Sequence, residues 1–186
     1  MSVGKMSNDR SENDKTQLQE LLDRCGITTW DYVICGDGSG SKWGQSIGWG
    51  AALFLPRLVE PLWFCGSAND GTVNAGELMA YLLPLLRISR IEVERRKKNM
   101  PLRVAQVHIV TDSTFVESQG QKVEMPDAHA VLGAAFRFMQ FRGLQLHWHW
   151  CRREVLALNR AVDKLSKDAR LHQENFDAQG AVETVI

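Results

Sequence analysis

Proline is scarce, with five in 186 residues, and no low-complexity tract or internal repeat interrupts the chain. A composition of this kind excludes collagen-like, coiled-coil and wholly disordered proteins. The four cysteines, at positions 25, 35, 65 and 151, form no CxxC pair and no cluster with histidine of the kind that builds a zinc site. The spacings that build zinc sites are therefore missing, and reduced, mostly buried thiols are expected. No run approaches the ~18 apolar residues of a membrane span, and the first thirty residues lack a secretory apolar stretch. The expectation is a soluble protein with no membrane partner, in the cytoplasm or another reducing compartment. An excess of one charge is missing too: Lys and Arg number 22 and Asp and Glu 22. On its face that balance argues against a polyanionic ligand.

What is present is enough apolar material for one core. The chain is 44% hydrophobic and 24% charged, with six Trp and seven Phe, a composition and length that fit a single domain. Residues 1–29 are polar until Leu18, Leu21 and Leu22, and read as a polar tail with a short helix. A domain over 30–172 and a C-terminal tail over 173–186 follow. From Asp31 the texture changes: YVICGDGSG, SIGWGAALFL and PLWFCGSA are three strand-like runs joined by short turns, an antiparallel meander. Asn74 to about Ile91 is apolar around much of its circumference and reads as a helix buried on more than one side. Pro84 within it cannot donate to the carbonyl of Ala80, so a kink or local break is expected there. The stretch EVERRKKNMP leads to a strand, VAQVHIV, ending at Thr111-Asp112. Helical pattern follows in STFVESQ and DAHAVLGAAFRFMQF, then a strand, LQLHWHW, and a helix over NRAVDKLSKDARLHQ. The order β-β-β-α-β-α-α-β-α implies an α/β domain with a mixed five-stranded sheet flanked by helices.

Four carboxylates stand at the ends or starts of these elements. Asp37 precedes glycines in the first strand and, alone, reads as a turn aspartate. Asp112 closes the fourth strand, where either it or Ser113 could cap the next helix. Glu77 lies one turn into a leucine-lined helix, beside Leu78 and Met79. There an unpaired carboxylate is costly, although the helix dipole offers a simpler reason for it. Asp163 follows Asn159 in what reads as the opening turn of the last helix. Taken together, four acids on four elements have an explanation that the separate readings lack. Hard divalent cations take oxygen ligands, and two of them roughly 3.5–4 Å apart can serve both the attacking and leaving oxygens of a phosphodiester.

The segments around these acids resemble the type 1 ribonuclease H family. DGSGSKWGQSIGWGAALF is similar to its first hairpin, TVNAGELMA to its Thr-Asn-x-x-x-Glu-Leu-x-Ala segment and TDSTFV to its Thr-Asp-Ser-x-Tyr/Phe-Val. NRAVDKLSKDAR is similar to Asn-x-x-x-Asp-x-Leu-Ala/Ser-x-x-Ala. The four motifs occur in the family's order and span residues 31 to about 172. The resemblance implies a catalytic, metal-binding set of Asp37, Glu77, Asp112 and Asp163 holding two Mg2+ ions, with Mn2+ as a substitute. It implies an endonuclease acting on the RNA strand of an RNA–DNA hybrid, leaving 5′-phosphate and 3′-hydroxyl ends; a monomer is expected, although the sequence leaves the oligomeric state open. By the same resemblance Glu77 and the backbone near Gly38 and Ser39 lie close to the 2′-hydroxyl, the group that distinguishes the strands. Asn74 then matches a minor-groove contact and Thr72 a grip on a DNA phosphate, although both also suit helix capping, Asn74 as N-cap. A catalytically silent domain of the same fold and another two-metal nuclease of the superfamily are the alternative readings.

This chain departs from the family in three places. Val73 replaces the asparagine usually next to the threonine. The loop CRREVLAL, with Arg152 and Arg153 as candidate nucleic-acid contacts, has neither the histidine nor the glycines of many relatives. No basic helical protrusion follows Asp112, since only QGQKVEMPD separates the two helices there. His147 and His149 share one face of their strand, which reads as an ordinary half-buried strand before a two-histidine metal site. Trp43, in the glycine-rich turn, is the tryptophan best placed to touch a nucleotide. The net charge of zero also hides two basic stretches: residues 87–103 hold seven basic and two acidic groups, and 137–170 hold eight and three. Solvated helix faces explain such runs, but a hybrid-binding enzyme without a protrusion needs phosphate contacts from some surface.

Overall fold

The computed structural model describes residues 5–41, 46–56, 58, 60–98, 100, 103–123, 143–152 and 156–172. The helix expected over 127–141, Trp43, Arg153 and the tail from 173 lie outside them. The sheet consists of β1 (Tyr32–Gly40), β2 (Ile47–Phe54), β3 (Leu62–Ala68), β4 (Ala105–Thr111) and β5 (Leu144–Trp150). Their order is β3-β2-β1-β4-β5; β1, β2 and β3 pair antiparallel, and β4 and β5 continue parallel to β1. The helices are α1 (Lys5–Cys25), α2 (Val73–Lys97), α3 (Thr114–Val123) and α4 (Ala157–His172).

Alternation along the strands sorts the apolar residues into two cores, because successive side chains leave opposite faces. On one face Ile34, Leu53 and Ile109 pack with Leu78, Tyr81 and Leu85 of α2. On the other, Val33, Cys35 and Val110 pack with Leu21 and Leu22 of α1 and Leu158 and Val162 of α4. The central strand is buried on both sides, which is why YVIC reads as a continuous apolar run instead of an alternating one.

Three helices differ from expectation, each for a local reason. The N-terminal helix is 21 residues long, not a short appendage, and anchors its end by sinking Leu21 and Leu22 into the second core. Pro84 does not break α2, which runs unbroken for 25 residues with Pro84 buried. That helix also continues past Ile91, because Glu92 is still an internal residue: it is 5% exposed and accepts hydrogen bonds from Tyr32 Oη (2.6 Å) and Arg103 (3.2 Å). Arg103 also pairs with Asp31, Arg95 with Glu92 and Lys97 with Glu94. Three of the seven basic groups of the first basic stretch are thereby paired with acids in their own neighbourhood. Finally, α4 begins at Ala157, two residues before Asn159.

His108, His147 and His149 lie together on the α1 and α4 side of β4 and β5, with ring centroids 4.7 and 5.1 Å from His108. His108 Nδ1 and His149 Nε2 are 2.8 Å apart, and His147 Nε2 meets Gln106 Oε1 at 2.5 Å. These nitrogens are engaged with one another and with an amide, and His108 is a third histidine that the spacing of His147 and His149 did not reveal. Burial, and then the charges of His149 and His147, push His108 down to about 4. A histidine depressed in the folded state is neutral there while its unfolded counterpart protonates near ~6.5, so folding loses stability as pH falls from that value toward the folded one. The melting temperature of the parent is expected to fall more steeply between pH 6.5 and 4 than that of His108→Gln, which a pair of pH-dependent melting series would measure.

Candidate active site

β1 and β4 are neighbouring parallel strands in which Cys35 pairs with Val110. Two residues further on, Asp37, within β1 just past its last pairing with β4, and Asp112, just past the end of β4, reach the same height. Here the order of the sheet also reverses, with β2 and β3 laid down to one side and β4 and β5 to the other. In open sheets this crevice is where ligands bind.

Each acid is brought in by a specific local arrangement. Ser113 caps α3, its Oγ accepting from the Val116 amide at 3.3 Å, so capping does not account for Asp112. The Asp112 backbone is held from β5, since Trp150 Nε1 donates to its carbonyl at 3.1 Å. Glu77 is delivered by the close approach of α2 to Gly38. A Cβ at that position would lie 2.2 Å from the Glu77 nitrogen and 2.5 Å from the Gly76 carbonyl carbon. Only glycine lets the helix start sit on the strand. One oxygen from each of Asp37, Glu77 and Asp112 then lies within 4.8 Å of the other two, and Asp37 is 2% exposed.

Tyr81 fastens this arrangement from beneath. Its hydroxyl donates to the Gly36 carbonyl at 2.7 Å and approaches the Val110 carbonyl at 3.2 Å, tying β1 to β4 just before both aspartates. Burial pushes the phenol well above its usual range, so it remains a donor. Tyr81→Phe leaves both carbonyls without it in a dry core, and is expected to lower stability by about 1–3 kcal/mol while leaving the fold intact. Chemical denaturation of the two proteins would measure the difference.

Asp163 is placed differently from the other three. Because α4 starts at Ala157, Asp163 sits in its second turn, not the opening one, and the helix-dipole explanation weakens accordingly. Its Oδ2 receives Lys167 Nζ at 2.6 Å. It does not belong to the close group of three, but it lines the same groove of about 370 Å³ as Glu77 and Asp112. The height of α4 over the sheet is set by Gly48, where a Cβ would lie 2.2 Å from the Ser166 carbonyl oxygen. Ser39 Oγ donates to that same oxygen at 2.9 Å.

Of the candidate nucleic-acid contacts, Gly38 and Ser39 line the groove, with the Ser39 hydroxyl turned to α4. Thr72, not Asn74, is the N-cap of α2: its Oγ1 accepts from the Ala75 amide at 3.2 Å, and Asn74 is an exposed residue of the first turn. The capping role passes to Thr72 because Val73 already has helical geometry. Arg152 is exposed just beyond β5. The basic stretch over 137–170, expected from the sequence as a source of phosphate contacts, supplies the basic wall of the groove, although of its eight basic groups only Arg160, Lys167 and Arg170 line it among the described residues. With Asp163, these recur at three- and four-residue spacings along one side of α4, a signal present in the sequence.

The donor set suits a hard divalent cation, since three carboxylates offer oxygen ligands at short mutual range. Burial, followed by the charges of Asp112 and Asp37, pushes the Cys35 thiol well up, and that thiol is engaged with Asn159 Oδ1 at 3.2 Å.

No family model matches this chain, and no curated protein matches it in sequence. Among solved structures it is similar to the N-terminal RNase H domain of Rv2228c from Mycobacterium tuberculosis, determined as a fusion with maltose-binding protein. The TM-score is 0.56 at 19% identity, covering 82% of this chain and 99% of that one. The architecture is an RNase H-like fold, a mixed five-stranded sheet between helices.

Proposed function

We propose that the protein is a divalent-metal-dependent endonuclease that hydrolyses the RNA strand of RNA–DNA hybrids. The observation that carries this reading is the convergence of Asp37, Glu77 and Asp112, from three separate elements, to within 4.8 Å where the pairing of β1 with β4 ends. A scaffold gains nothing from mutually repelling carboxylates, whereas a nuclease site needs them. The RNase H-like fold and the order of the four sequence motifs support the same conclusion.

In this reading Asp37, Glu77 and Asp112 hold one side of the cation site and Asp163 approaches from α4. Magnesium or manganese bound there supplies activation of water and stabilisation of the charge on the departing 3′ oxygen. The chain's own residues orient the target: the backbone at Gly38 and Ser39 lies beside Glu77, where a 2′-hydroxyl can be sensed, and Arg160, Lys167 and Arg170 face phosphate. The products are a 5′-phosphate and a 3′-hydroxyl, with no covalent enzyme intermediate, and the domain over residues 30–172 acts as a monomer. Labelled RNA–DNA hybrid, duplex DNA and duplex RNA of one sequence, incubated with magnesium, test the assignment. Cutting confined to the RNA of the hybrid is expected; preferential cutting of either homoduplex would overturn it.

A further inference from the structure

Asn159 lines the acid groove four residues before Asp163, on the same side of α4, and is 6% exposed. Its amide is oriented by the strand beneath, where the Cys35 thiol donates to Oδ1 with Sγ 3.2 Å away. The reverse orientation would exchange this bond for a weak N–H···S contact. With Oδ1 held by Cys35, Nδ2 is buried and has no hydrogen-bond acceptor among the described residues. A buried donor left so costs about 1–3 kcal/mol. Arg170, on the same wall, repeats the pattern, with a buried Nε that also has no acceptor among the described residues. The residues along one side of the groove thus include two buried donors without acceptors among the described residues, beside the cations of Arg160 and Lys167, and an acceptor-rich anion is the class of ligand that would answer them.

We propose that Asn159 contacts the substrate directly, its Nδ2 donating to a non-bridging oxygen of the phosphodiester that lies against the acid cluster. The inference rests on the nuclease reading above and adds a phosphate-positioning residue to it. Cys35 acts through Asn159 as the group that fixes the direction of the amide.

The test is Asn159→Leu, which keeps size and removes the donor. Because the donor is unsatisfied in the protein without substrate, N159L is expected to melt above the parent. Its single-turnover cleavage of a hybrid in magnesium is expected to fall about tenfold or more, with hybrid affinity changed less than about threefold. A structural asparagine predicts the reverse, a variant that melts lower and cuts normally. Asn159→Asp keeps the shape, replaces the donor with an acceptor, and is expected to lose cleavage to a similar extent. An N159L protein that melts below the parent, or either variant cutting within about twofold of the parent, overturns the proposal. Should the parent cut no hybrid, the nuclease reading fails by itself, and the melting comparison decides the orientation of Asn159: higher supports an unsatisfied donor and lower refutes it.

Discussion

Asp37→Asn is expected to abolish hybrid cleavage while making the protein more stable in metal-free buffer. The loss of activity should be at least about 10²–10³-fold, the order found when one preplaced electrostatic group is removed from a site. Stability should move the other way because Asp37 is 2% exposed and shares a space of less than 5 Å with Glu77 and Asp112. Like charges held so close oppose folding, and asparagine keeps the shape without the charge. For a domain of this size each kcal/mol gained raises the melting temperature by about 2–4 °C. Magnesium should reverse the order, since an ion that binds the folded parent stabilises it by mass action and the variant binds it poorly. Melting curves with and without magnesium, run beside a cleavage assay, would show both effects. A variant that melts lower than the parent in chelator would mean that the acids are not packed against one another.

Gly38→Ala is expected to damage the same site with the opposite sign in stability. The added carbon would meet backbone, 2.2 Å from the Glu77 nitrogen and 2.6 Å from its Cα, so no side chain can rotate to relieve it. The start of α2 must move instead. Overpacking of this kind costs about 1–3 kcal/mol, and a shift of about 1 Å in a positioned group can cost 10²-fold in rate. Cleavage should therefore fall together with the melting temperature, in contrast to Asp37→Asn, where they separate. Denaturation and single-turnover cleavage of the purified variant would measure both. Parent-like values in both would mean that Glu77 does not depend on the close approach of α2 to β1.

The elements that carry the site were legible because their signals are local. Apolar runs ended by Asp37 and by Asp112 mark two strands, and Glu77 stands out as an acid in a leucine-rich helix. What brings them together was not legible in that way. The pairing of Cys35 with Val110 that levels the two aspartates is a long-range register, and Gly38 reads as a turn residue until α2 is seen lying against it. Tyr81 looks like one more core aromatic, because nothing in the helix reveals that its hydroxyl reaches two carbonyls on different strands. Local pattern also misplaced helix limits. Proline and a charged run argue against continuing α2, yet Glu92, buried against Tyr32 and Arg103, carries it on. The zero net charge is resolved in the same terms. Acids meet where β1 and β4 part, three of the seven basic groups in the first stretch pair with neighbouring acids, and the second stretch puts Arg160, Lys167 and Arg170 on the groove wall.

The measurement that tests the central claim most directly is cleavage of an end-labelled RNA strand within an RNA–DNA hybrid. The parent and Asp112→Asn would be run side by side in magnesium and in excess chelator. The account predicts fragments ending in 3′-hydroxyl for the parent in magnesium alone, and none for the variant or in chelator. Fragments produced equally by Asp112→Asn, or undiminished by chelation, would contradict it.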